Sequence, residues 1–127
     1  MVIQVWGDPD RCDLTAMKQA VGAALATAGV SEGPPQPSLA APGVLESLAK
    51  QAGLNREIAF DLSWAYEYEN EDDAATAMLS PGPMREAATV LSEDRLREVI
   101  VGSLEPYRTP AGGYRLENEW HFLVARA

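Results

Sequence analysis

The only histidine, His121, lies between Trp120 and Phe122, with Glu119 two positions earlier. On a strand, a period of two puts His121 and Glu119 on one face. A histidine–carboxylate pair of that kind can move protons near neutral pH, as an isomerase or cyclase requires. The competing reading is a histidine beside glutamates on a solvated edge strand. A second group, Asp8, Asp10, Arg11 and Asp13, follows the apolar run Val2-Ile3-Gln4-Val5-Trp6. Open α/β sheets bind ligands at the C-terminal ends of their strands, so Asp8 and Arg11 are candidate substrate contacts. Asp-Pro-Asp is equally a strong turn former that needs no ligand. A third group is aromatic: Trp6, Trp64, Tyr66, Tyr68 and Tyr107 would orient a small molecule in an apolar pocket through their polar tips, the alternative being ordinary core. Glu67, Glu69, Glu71, Asp72 and Asp73 fall within seven residues. They lack the ligand offsets and turn glycine of a calcium loop and read as a solvated helix start. Cys12 has no cysteine partner and no histidine nearby in sequence, there is no zinc pattern, and no metal is expected.

The chain that must position these groups has 127 residues, 46% of them hydrophobic, and 10 Lys+Arg against 19 Asp+Glu for a net charge of −9. This length predicts one domain, residues 1–127, burying roughly two-thirds of the surface its unfolded chain exposes. The acidic balance argues against nucleic acid and anionic membrane as main partners. No apolar run reaches the roughly 18 residues of a membrane span. The start, Met1-Val2-Ile3-Gln4, has no basic n-region, and a lone cysteine asks for no oxidising compartment, so the expected location is the cytoplasm.

Residues 2–6 read as a short strand stopped by Gly7-Asp8-Pro9-Asp10. Leu14, Met17, Val21, Ala24, Leu25 and Ala28 then recur at helical spacing, with Asp13 as N-cap and Gly29 as stop. A second helix is expected over 42–52. Residues 57–68 alternate strictly, with Phe60 and Leu62 expected in the core and Trp64, Tyr66 and Tyr68 running out from it. Helices over 71–79, 83–91 and 93–105 precede a last strand, 114–126. The expected fold is α/β: a small mixed sheet of three strands in the order first, last, middle, with helices on both faces. The first strand would join a neighbour in parallel through a helical crossover. Its bare apolar edge predicts homodimerisation, or docking of a second chain, through residues 2–6.

The string Val5-Trp6-Gly7-Asp8-Pro9-Asp10-Arg11-Cys12-Asp13 resembles the end of the fifth strand of class I S-adenosylmethionine-dependent methyltransferases. The segment from Leu39 to Leu54 is similar to the helix and Ala-Gly-Leu element before their sixth strand. Pro106 to Arg126, with Tyr114-Arg-Leu-Glu-Asn-Glu-Trp-His121, resembles their seventh strand and the turn leading into it. The resemblance implies a truncated Rossmann-like subdomain, strands five to seven. In that family the cofactor sits in the N-terminal half, on a Gly-rich turn after the first strand and an acidic residue ending the second. Such a site needs glycines so that backbone amides can approach the ligand. No G-x-G-x-x-G occurs in these residues. The chain alone is therefore expected to bind no cofactor, S-adenosylmethionine entering only with a partner that supplies the missing half. The resemblance implies the acceptor-substrate and lid half of a two-chain methyltransferase. The alternative is a stand-alone small-molecule-binding protein, or a biosynthetic isomerase or cyclase, on the same scaffold.

Overall fold

The β-branched run Val2–Trp6 forms β1, and it pairs antiparallel with the last strand, β3 (Tyr114–Arg126), from Val2 opposite Val124 to Trp6 opposite Trp120. The computed structural model describes residues 1–31 and 33–127. Strand β2 (Asn55–Tyr68) flanks β3 on its other side, giving the order β1-β3-β2 expected from the sequence. Its direction is legible in the cross-strand ion pairs Arg115–Glu67 at 2.6 Å, His121–Asp61 at 2.6 Å and Arg126–Glu57 at 2.7 Å, because numbers rise along β3 as they fall along β2. Every neighbouring pair is thus antiparallel, and the expectation of a mixed sheet with β1 joined in parallel is corrected. The reason is that β3 lies between two strands running the same way, so the parallel pair β1 and β2 never meet.

The chain divides into two compact units. The first comprises Met1–Asp13, Gln36–Ala65 and Glu117–Ala127. Its helix α2 (Val44–Gln51) starts after Gly43, whose φ of 78° is open to glycine at little cost. Leu45 and Ala49, one turn apart on α2, pack with Leu123 and Ala125 of β3, joined by Ile3, Val5, Leu54 and Ala59. These strand residues are odd-numbered, so the core lies on the odd face of the sheet. Phe60 and Leu62, expected in the core, are instead 38% and 48% exposed. Alternation placed them together correctly, but the helix of this unit covers the opposite face, where Ala59 is small enough to lie beneath it.

The second unit comprises Leu14–Pro35 and Tyr66–Leu116. It holds α1 (Leu14–Thr27), α3 (Glu71–Leu79), α4 (Gly82–Leu91) and α5 (Glu93–Leu104). Helix α5 packs against the other three, and its Leu96, Ile100 and Leu104, four apart, form one fully buried stripe. Asn70 caps α3 by accepting from the Asp73 N–H at 2.9 Å. The acidic cluster meets arginines here: Arg97 reaches Asp72 at 2.6 Å and Glu71 at 3.5 Å, and Arg115 reaches Glu67. Among the described residues, no helix is long and apolar enough to cross a membrane.

Candidate functional site

The turn after β1 lies directly against β3 because Gly7 has no side chain. Its N–H donates to the Glu119 carbonyl at 2.8 Å, and a Cβ there would sit 2.6 Å from Glu119 Cγ. A single 3₁₀ turn, Pro9–Arg11, follows, with the Asp8 carboxylate accepting from the Asp10 N–H at 3.0 Å. This compact loop aims two donors at one buried carboxylate. The Asp8 N–H donates to Glu119 Oε1 at 3.2 Å, and Arg11 Nη1 donates to Oε2 at 3.0 Å. The Glu119 side chain is 6% exposed and the Arg11 side chain 70%. The hydrogen bond and charge of Glu119, with smaller contributions from Asp8 and Asp61, raise Arg11 further above its ordinary pKa. Arg11 is therefore a fixed cation, held at one end, whose solvent-facing N–H groups suit a carbonyl, carboxylate or phosphate oxygen.

Two residues along the same face of β3, His121 Nδ1 lies 2.6 Å from Asp61 Oδ1 on β2. With the proton on Nδ1, the ring donates to Asp61 and Nε2 is left to act towards a ligand. The His121 side chain is 13% exposed and that of Asp61 51%. The histidine–carboxylate pair is thus built with Asp61, while Glu119 is committed to Arg11 and the Asp8 amide. Beside this loop, Asp8, Pro9, Ser38, Ala40, Ala41 and Pro42 line a pocket of about 210 Å³.

The sequence-derived candidates therefore separate into three places. Asp8, Arg11, Glu119 and His121 gather around the loop and the odd face. Trp6 and Trp64 lie on the even face, stacked on Trp120 at centroid distances of 4.1 and 4.9 Å. Tyr66, Tyr68 and Tyr107 belong to the second unit and are half-buried. Burial pushes the Tyr66 and Tyr68 phenols above their ordinary pKa, and Tyr66 adds to the shift at Tyr68. Asp61 is the residue that sequence reasoning missed. Its odd position in an alternating strand was visible, but its partner depends on the β2–β3 register. Among the described residues, no group of three or more His, Cys, Asp or Glu is placed to hold a metal ion. Compared with protein-family models and with curated proteins, the chain matches none.

Proposed function

We propose that this chain is the acceptor-substrate half of a two-part S-adenosylmethionine-dependent methyltransferase, completed by a second polypeptide that adds its strands along the free edge of β1. The observation that carries this reading is the strand arrangement. β3 is flanked by β1 and β2, the order first, last, middle expected for the segments that resemble strands five, seven and six, and among the described residues no strand pairs with the outer side of β1. An edge bearing Val2, Ile3 and Val5 is a template for another strand. On this reading the Gly-rich turn that holds the cofactor comes from the second polypeptide, no G-x-G-x-x-G occurring in this sequence. What this chain contributes is acceptor binding. Arg11, fixed by Glu119, holds an oxygen of the acceptor, and His121, oriented by Asp61, takes the proton that a hydroxyl or amine loses.

Native mass spectrometry of the protein purified from its source cells tests the proposal. The expected result is a stoichiometric complex with a polypeptide bearing the Gly-rich first turn, and S-adenosylmethionine binding that appears only on mixing. An assembly with no second polypeptide, or tight binding of S-adenosylmethionine by this chain alone, overturns it.

The His121–Asp61 geometry also favours a second reading, a stand-alone isomerase or cyclase using His121 as base. That reading requires turnover without a partner, abolished in His121→Ala.

A further inference from the structure

The even face of the sheet in the first unit is apolar and open. Its exposed side chains include Val2 (65%), Ile58 (52%), Phe60 (38%), Leu62 (48%) and Trp64 (39%). Register places Val2 opposite Val124, Gln4 opposite Phe122 and Trp6 opposite Trp120, so the surface continues unbroken across three strands. Arg56, Asn118 and Arg126 stand at its margins, while from Val2 to Trp6, Ile58 to Trp64 and Trp120 to Val124 the even positions carry no charge and Gln4 is the one amide. That is unusual in a chain of net charge −9.

We infer that this face is the interface of a homodimer, two copies packing sheet on sheet about a two-fold axis. Three properties favour a second copy. The first is area. Taking 150–250 Å² for each large apolar side chain, the five residues above leave on the order of 450 Å² exposed per copy. Two copies therefore bury about 900 Å² before the half-buried rings are added, close to the roughly 1,000 Å² at which specific interfaces begin. The second is charge. An isologous contact sets one patch against its own copy, which an acidic surface resists and a neutral one permits. The third is order. Trp64 stacks on Trp120, and Phe60 on Phe122 at 5.2 Å with planes 7° apart, so rings already held in place lose little rotamer freedom on packing. The contact is distinct from the β1 edge, and a second strand-supplying chain can occupy that edge at the same time.

Sedimentation velocity over a concentration series tests the inference, with wild type compared with Leu62→Glu and Phe60→Lys. Both positions are exposed, so far-UV circular dichroism is expected to stay unchanged while the dimer dissociation constant rises at least about tenfold. A wild-type protein that stays monomeric throughout overturns the inference. So does a dimer that both substitutions leave intact, since the copies would then meet elsewhere than on this face.

Discussion

His121 Nδ1 and Asp61 Oδ1 lie 2.6 Å apart although 60 residues separate them in the chain. At that distance Asp61 is placed to bias the imidazole tautomer, and the bias can be measured. In Asp61→Leu the preference for a proton on Nδ1 is expected to disappear, and nitrogen chemical shifts of the ring should move towards the Nε2–H form. Asp61 is half exposed, so the accompanying loss of stability should be about 1 kcal/mol or less by denaturant titration. Unchanged ring shifts would show that something other than Asp61 orients the histidine.

Gly7 is required by the closeness of two backbones. A Cβ at this position would meet Glu119 Cγ at 2.6 Å and its carbonyl carbon at 2.8 Å, neither of which is the free end of a flexible chain. Gly7→Ala should cost about 1–3 kcal/mol, as overpacking does. Gly33→Ala, where an added Cβ meets nothing within 4 Å, should stay within about 0.5 kcal/mol of wild type. Urea unfolding of the two variants makes the comparison directly.

These two contacts show what was legible in the sequence and what was not. The run Val2–Trp6 and the Gly-Asp-Pro stop gave β1 and its turn, because β-branched residues and turn residues act locally. The alternation from Ile58 to Trp64 gave a strand and grouped its side chains correctly. It could not say which group is buried, since that depends on which side of the sheet α2 lands, and a period of two is symmetric between faces. The parallel placement of β1 failed for a related reason. Helical crossovers between β1 and β2 imply that the two strands run the same way, but nothing local in β3 announces that it inserts between them. At the site, Glu119 and His121 were correctly placed on one face, whereas the partners Arg11 and Asp61 arrive from 108 and 60 residues away.

Arg11 and Arg95 both make ion pairs at 3.0 Å, but only Arg11 meets a buried carboxylate. Removing Arg11 leaves Glu119 with the Asp8 amide and little water, whereas Glu98, 69% exposed, is rehydrated when Arg95 is lost. Arg11→Met should therefore lower the unfolding midpoint clearly more than Arg95→Met. Under the proposed function, Arg11→Met also weakens acceptor binding, seen as a raised KM in the reconstituted assembly. Lys at position 11 should recover part of the stability, and less of the binding, because a point charge replaces a fork of donors.

Alkaline pH probes the second unit separately. Burial raises the Tyr68 phenol above its ordinary value, and the neighbouring Tyr66 raises it further; Tyr66 is raised by burial alone. The folded chain therefore holds these protons more tightly than the unfolded chain. The unfolded state loses its phenol protons first, at about pH 10, so stability is intact below that pH and falls as pH rises through the folded-state values. Tyr68→Phe removes one titrating group and should flatten the decline above pH 10 without altering its course at neutral pH. Phenolate absorbance, followed alongside circular dichroism, gives the test. In wild type, two tyrosines should ionise late, and Tyr68→Phe should delete one of those late steps. Late ionisation that persists unchanged in the variant would show that Tyr68 is not the protected phenol.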